Sequence, residues 1–309
     1  MKAGGRTHVK DMIRELEELE GALSGAQGEA FARMAARRAE LLARLSHLTP
    51  EEKVLMARYP KRPKVGQYID ALFTDFFVQR GDRQCREDKS ILGGIALFHG
   101  RPVTVLGHRK GSNLEENMAC NFGMPGPEGY RKALRLMKQA EKFGRPVITL
   151  IDTPGAYPGM EAEERGQGEA IARNLAEMSR LRVPVISIVT GEGSSGGALA
   201  LGLADRIVML ENAYYSVVTP EGCASILWKD PKKRDEACKA LRLTAQDLQS
   251  FGLIDGIIPE AVGGAQRDTK MLFARMDREI ACALVELDAM NVDELLAARY
   301  EKYRRIGLA

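Results

Sequence analysis

Cysteine is scarce in this 309-residue chain, and it is placed without pattern. The five thiols, Cys85, Cys120, Cys223, Cys238 and Cys282, are odd in number and contain no Cys-x-x-Cys pair. That excludes a disulfide framework and a zinc cage, so no metal is expected on this chain and a reducing cytoplasm is the expected setting. An excess of charge of either sign is also missing. Lys plus Arg number 45 against 42 Asp plus Glu, a formal net charge of +3, so no global field points to nucleic acid or to an anionic membrane. No apolar run approaches the roughly 18 residues of a membrane span. The first ten residues are polar and lead into a charged amphipathic stretch, so neither secretion nor membrane insertion is expected. Low-complexity tracts and short repeats are absent as well.

What is present suits one large α/β domain with a helical extension, since 45% of the residues are hydrophobic and a sizeable core is expected. Met12, Leu16, Leu19 and Leu23 fall on one stripe of a helix, and Met34, Leu41, Leu45 and Leu48 resume that pattern after a break at residues 24–28. The spacing predicts an antiparallel helical hairpin before residue 49, packed on its own domain or offered to a partner. Thr49 with Glu52 forms a capping box, Pro50 takes the first helical position, and Pro60 and Pro63 end the segment, so residues 59–64 read as a linker. Two units result: 1–64, a hairpin and linker, and 65–309, the main domain.

From residue 91 the pattern changes to short apolar runs separated by helices. Residues 91–98 and 103–107 flank His99-Gly100-Arg101-Pro102 and read as a β-hairpin, and residues 127–143 as a helix. Residues 147–151, 185–190 and 206–210 are near-continuous β-branched or aliphatic runs, as in strands covered on both faces. Helices over 163–181 and 196–204 alternate with them, which favours a mostly parallel sheet. The remainder is mainly helical, with Thr244 and Asp247 capping one helix that Gly252 closes.

Residues 190–198, Thr-Gly-Glu-Gly-Ser-Ser-Gly-Gly-Ala, follow a buried strand and open a helix of small residues. Several motifs overlap there. Gly191, Gly193 and Gly196 satisfy G-x-G-x-x-G, with Glu211 twenty residues on, as in an NAD-type dinucleotide-binding oxidoreductase. Gly193, Ser195 and Gly197 satisfy G-x-S-x-G, the elbow of a serine hydrolase. All four histidines, His8, His47, His99 and His108, precede Ser195, so the downstream general base of that class is missing. A phosphate loop would need Lys and then Ser or Thr after Gly196, where Gly197 and Ala198 stand. What a turn of glycines can do without a reactive side chain is aim main-chain N–H groups, at the positive end of a helix, toward an oxygen gaining charge. A second loop, residues 152–159, follows the preceding strand at the edge where open α/β sheets place their ligands. The amides of Gly155 and Ala156 are expected to face the same crevice.

Other residues carry milder expectations. His108-Arg109-Lys110-Gly111 reads as a solvated strand end, and the basic run from Lys229 through Lys232, Lys233 and Arg234 as a solvent-facing helix start. Asp152 is expected to tie down its loop, with Glu221 a candidate acid. Cys223 and Trp228 are read as core of the helix they share.

Residues 121–130, 151–159, 163–167 and 216–228, the last containing TPEGCASILW, are similar to the carboxyltransferase alpha-subunit family of bacterial acetyl-CoA carboxylases, within the crotonase superfamily. The likeness runs from about residue 10 to the end of the chain and includes 253–260 and 263–265. It implies an α/β fold of the crotonase-like (ClpP/crotonase) class, with a repeated ββα core, an N-terminal helical extension and a helical C-terminal part. The implied reaction moves the carboxyl group of carboxybiotin, held on a biotin carboxyl carrier protein, to acetyl-CoA, giving malonyl-CoA for fatty acid synthesis. The implied partners are a homologous zinc-bearing beta subunit, with two chains of each kind, and biotin carboxylase in the full complex. By position the family's catalytic glycine pair maps onto Gly196 and Gly197. Gly155, Ala156, Gly193 and Ser195 are then expected to form the surrounding carboxybiotin pocket. Position 194, commonly glycine in the family, is Ser194 here. A non-catalytic subunit keeping the same fold is the remaining alternative.

Overall fold

The computed structural model describes residues 9–307; the first eight residues, with His8, and the last two lie outside the described residues. The chain opens with α1 (Val9–Leu23) and α2 (Gly28–Leu45), turned back on each other through four residues. Met12, Ile13 and Leu16 bury against Leu41 and Leu45, and the cluster closes on Met56 and Tyr59 of the following segment. Leu23 and Met34, at the same helical spacing, are only half-buried, because they lie toward the connecting turn and away from that cluster. Arg37 pairs with Glu15 across the helices at 2.7 Å, and Arg267 grips Glu20 at 2.8 Å, fastening the hairpin to the body of the same chain.

α3 (Pro50–Ala57) begins with the expected capping box: Thr49 Oγ1 accepts from the Glu52 amide and the Glu52 carboxylate from the Thr49 amide, with Pro50 in the first turn. The residues between α3 and α4 (Val65–Leu72) are irregular but far from a free linker. Arg62 is 2% exposed. Its Nε donates to the Thr190 carbonyl at 2.6 Å, and its other nitrogens bind the Glu260 carboxylate, itself fully enclosed. Prolines break the helix here, but one long cation anchors the chain to the sheet.

The sheet has eight strands: β1 (Thr74–Val78), β2 (Ile91–Phe98), β3 (Arg101–His108), β4 (Val147–Thr153), β5 (Val185–Ser194), β6 (Arg206–Leu210), β7 (Tyr214–Ser216) and β8 (Gly256–Ile258). Their order is β1-β2-β3-β4-β5-β6-β8, with β7 paired to β5. The first three are antiparallel and the rest parallel. β2 and β3 meet through a two-residue turn in which His99 (φ 48°) and Gly100 (φ 78°) both adopt positive φ, the condition for a type I′ hairpin. Every residue of β4 and β5 is buried, as their unbroken apolar runs anticipate for strands covered on both faces. β5 is ten residues long. Its first half pairs with β6, and residues 192–194 pair with β7 instead.

Helices join and cover these strands: α5 (Leu114–Ala119), α6 (Pro127–Lys142), α7 (Met160–Glu164), α8 (Gln167–Met178), α9 (Ser195–Gly202), α10 (Pro220–Trp228), α11 (Arg234–Leu241), α12 (Ala245–Ser250), α13 (Thr269–Asp288) and α14 (Val292–Arg304). Thr244 caps α12 through the Asp247 amide, as its sequence predicts. In α10 Cys223 is buried but Trp228 is not. It is 37% exposed, beside the exposed Ile226 and Leu227. The first turns of α10 pack on Ala237, and its last turn overhangs that contact. No helix among the described residues is long and apolar enough to cross a membrane.

Removing one partner of an enclosed ion pair strands the other charge in a medium that solvates it poorly, at a cost of about 3–5 kcal/mol. Glu260→Ala is therefore expected to lower unfolding stability by that amount, read from the urea midpoint. An unchanged midpoint would contradict the anchoring role of Arg62.

Candidate active site

The strand register brings two chain segments together. Thr153 at the end of β4 pairs with Gly193 near the end of β5, so the loops that follow leave the same sheet edge side by side. After β5 the chain turns into α9 at Ser195, whose φ of 60° is unusual for a residue with a side chain. Ser194, the N-cap, gives no side-chain cap to α9. The first-turn amides of a helix have no partner within it, and among the described residues no side chain accepts from the Gly196 or Gly197 amide. Ser194 itself is fully buried, and its hydroxyl has no hydrogen-bond partner. The side chain that stands where the family commonly has glycine is therefore enclosed, unlike the exposed Ser195 that follows it.

Gly197 is where the two segments touch. A Cβ there would stand 2.4 Å from the Ala156 nitrogen and 2.5 Å from the Gly155 carbonyl carbon. Only a residue without a side chain lets the two main chains approach so closely. Gly196 is different: an added Cβ would meet only the Ile171 side chain, at 3.6 Å. Ser195 is exposed beside them. Gly155 (φ 143°) shapes the opposite loop, but its amide is already bonded to Thr153 Oγ1 at 3.0 Å, and that hydroxyl donates back to the Gly155 carbonyl. Of the expected pair of donors on this loop, only the half-buried Ala156 amide is left. Gly193 lies inside the strand against Tyr215 and Val189, forming the floor of the turn and not its open face.

The distinctive sequence strings act as a brace for the 152–159 loop. Tyr157 N donates to Pro125 O at 2.9 Å, and Gln167 Nε2 bonds both Pro125 O and Tyr157 O. Glu128, 1% exposed, accepts from Arg165 at 2.6 Å. Residues from three separate stretches thus lock one loop.

Behind the loops lies a buried charge cluster that the sequence does not announce. Lys110 Nζ bonds Asp152 Oδ1 and Glu192 Oε2, both at 2.6 Å, so the expected solvated strand end is instead buried structure. Asp152 also accepts from the Glu192 amide at 2.9 Å, and Gly191 lacks a Cβ where Asp152 Oδ1 would lie 2.4 Å away. Glu192 further accepts from Arg58 and from the Tyr214 hydroxyl, and Arg58 extends the cluster to Glu221. Burial raises the Glu192 pKa, yet the charges of Lys110 and Arg58 outweigh it and bring the carboxyl down to about 2. Burial likewise opposes the Lys110 charge, but the two carboxylates hold it above the ordinary lysine value.

These contacts dispose of the rival motif readings. In the G-x-G-x-x-G pattern the space over Gly191 is occupied by Asp152, Gly193 packs on Tyr215, and Glu211 turns to the Glu260 amide, so no dinucleotide cradle is open. For a serine nucleophile, the candidate base against the glycine turn is His108, beside the Gly197 main chain. It is 1% exposed, and its ring nitrogens face the Gly197 and Leu150 main chain without completing a hydrogen bond. The basic run from Lys229 is exposed as expected, apart from Arg234, which reaches Glu51.

The uncapped start of a small-residue helix, flanked by a second loop from the neighbouring strand, is the arrangement expected of the crotonase-like α/β class. The solved structures agree. A transcarboxylase 12S structure superposes with TM-score 0.59 at 21% identity, covering 74% of this chain and 44% of that one. A Pseudomonas malonate decarboxylase hetero-tetramer in complex with coenzyme A gives TM-score 0.57 at 20% identity over 68% and 84%. At such identities the likeness is one of fold. The chain belongs to the family described as acetyl co-enzyme A carboxylase carboxyltransferase-like, which matches residues 6–307. Among curated relatives, the acetyl-coenzyme A carboxylase carboxyl transferase subunit alpha of Listeria monocytogenes serotype 4b is 50% identical over 100% of this chain and 92% of its own length. That of Shouchella clausii is 54% identical over 96% and 87%.

Burial drives the His108 pKa from 6.5 to about 4 despite the nearby Asp152. The folded value lies below the unfolded one, so protons favour the unfolded chain. The stabilisation is complete above pH 6.5 and lost as pH falls toward 4. Relative to His108→Gln, the wild-type chain should lose about 3 kcal/mol more stability across that window, measured by urea unfolding at stepped pH. Parallel pH dependences in the two proteins would refute this.

Proposed function

We infer that the Gly196–Gly197 turn is the carboxyl-transfer site of an acetyl-CoA carboxylase carboxyltransferase alpha subunit. The observation that carries this reading is the main-chain contact of Gly197 with the Gly155–Ala156 peptide, which holds uncapped first-turn amides beside a second loop at one sheet edge. Carboxybiotin, brought on its carrier protein, supplies the carboxyl group. The Gly196 and Gly197 amides donate to the ureido oxygen, where negative charge grows as the carboxyl departs, and each such donor contributes about 3 kcal/mol. When bound, carboxybiotin would release its carboxyl as CO2 and its ureido nitrogen would take the methyl proton of acetyl-CoA, leaving a carbanion that adds to that CO2 to give malonyl-CoA; no ionisable side chain of this chain is needed. Ala156 and Ser195 border the site, while Gly155 and Gly193 shape it from beneath.

Acetyl-CoA sits on a homologous beta subunit in this reading, and that subunit carries the zinc. Biotin carboxylase recharges the carrier, and the complex works in the cytoplasm with two chains of each kind. Residues 1–64 form the accessory segment and 65–309 the carboxyltransferase domain. The hairpin's contact through Glu20 and Arg267 keeps it on its own chain, and its outer surface, with Phe31 exposed, is left for a partner.

The test compares the two glycines in the assembled complex, following malonyl-CoA formation from acetyl-CoA and carboxybiotin. Gly197→Ala forces a Cβ into the Ala156 nitrogen and should cost about 100-fold in kcat, the effect of losing one donor. Gly196→Ala, with only Ile171 nearby, should stay within about tenfold of wild type. Wild-type turnover by assembled Gly197→Ala would overturn the assignment.

A further inference from the structure

We propose that Lys110 is a positioning residue for carboxyl transfer, an ammonium clasp that sets the distance between the two loops of the site; the proposal rests on the glycine-turn assignment above. Lys110 follows β3, at the sheet edge where β4 and β5 also end. Its Nζ bonds Asp152, three residues before Gly155, and Glu192, four residues before Gly196, both at 2.6 Å. The two carboxylates belong to adjacent strands and lie against each other, since Asp152 also takes the Glu192 amide. Without a shared cation, two ionised carboxylates at this distance repel, and the strand ends that carry the donor loops are pushed apart.

Neighbouring residues make room for the clasp. Gly191 clears the path of the Asp152 carboxylate, and Gly123 clears that of the Lys110 stem, whose Cγ would lie 2.8 Å from a Cβ at that position. Both carboxylates and the lysine are largely enclosed, at 11%, 7% and 14% side-chain exposure, so solvent screens the cluster weakly. The other charged groups meeting it do not replace the clasp. Arg58 binds Glu192 and Glu221 but not Asp152, Arg62 is committed to Glu260 and the Thr190 carbonyl, and Lys64 acts on Asp152 and Glu192 only through space, bonding neither. Among the described residues, Lys110 alone has a side chain that bonds the carboxylates of both strand ends.

The consequence is a transition-state effect without a binding effect, since Lys110 lies behind the loops and acetyl-CoA is held by the partner subunit. In the assembled complex, Lys110→Met keeps the length of the stem and removes the charge. Its kcat should fall about 100-fold, the scale expected when reacting groups shift by about 1 Å, while KM for acetyl-CoA stays within about twofold. Adding Glu192→Gln removes the repulsion and should restore at least about tenfold of the loss, a non-additivity that independent structural damage would not produce. Additive losses, or wild-type kcat in Lys110→Met, would overturn the proposal. If Lys110→Met fails to assemble, Glu192→Gln alone decides. It leaves Asp152 as the only carboxylate on the clasp, so a kcat fall of about tenfold at constant KM upholds the idea and wild-type kcat sinks it. Gly197→Ala is assayed alongside. An inactive Gly197→Ala with a fully active Lys110→Met removes only the clasp, whereas an active Gly197→Ala removes the site beneath it.

Discussion

Main chain meets main chain where Gly197 rests on the Gly155–Ala156 peptide, and the architecture around it makes that approach possible. A side chain at position 197 would force the two loops apart. β4 and β5 must therefore end at the same height, which their pairing through Thr153 and Gly193 secures. The braces outside follow from the same need. Gln167 and Tyr157 tie the 152–159 loop to residue 125, while Arg62 holds the carbonyl of Thr190 within β5, the strand that leads into the glycine turn.

The proposed site, made of amides, has no side chain to adjust, so its precision would come from what lies underneath. Here that foundation is ionic. Enclosed charges are costly to desolvate and seldom repay it in stability alone, yet several are concentrated beneath the strand ends: Lys110 with Asp152 and Glu192, Arg58 with Glu192, and Arg62 with Glu260. Two of the three cations come from the irregular segment after α3. The N-terminal extension is thereby joined to β5 through Arg58 and Arg62, besides the apolar contact of its hairpin.

Much of the fold was legible from periodicity. Strands covered on both faces announce themselves as unbroken aliphatic runs, so β4, β5 and β6 were readable to within a few residues. Caps such as Thr49 with Glu52, and Thr244 with Asp247, mark helix starts through local hydrogen bonds that need no tertiary context. β7 and β8, three residues each, were not readable, because a strand that short is defined by its neighbour and not by its own pattern. β1 was missed for another reason: its outer face is exposed, with Phe77 turned to solvent, so no burial period marks it. Trp228 shows the limit from the other side, since an apolar side chain does not say whether anything stands above it.

At the proposed site, the glycines at 196 and 197 and the loop at 152–159 were recognisable from residue types and spacing, and the loop, with the strings at 121–130, 163–167 and 216–228, carried the family resemblance. Local chemistry determines that much: a turn without side chains exposes its amides wherever it sits. The sequence could not tell that Gly155 spends its amide on Thr153, or that Gly191 makes room for a carboxylate and not for a phosphate. Nor could it reveal the buried pairing of Lys110 with residues 42 and 82 positions away. Those assignments belong to the tertiary structure alone, because an ion pair between distant residues carries no periodicity, and the space beside a glycine has an occupant only after the sheet has set its register.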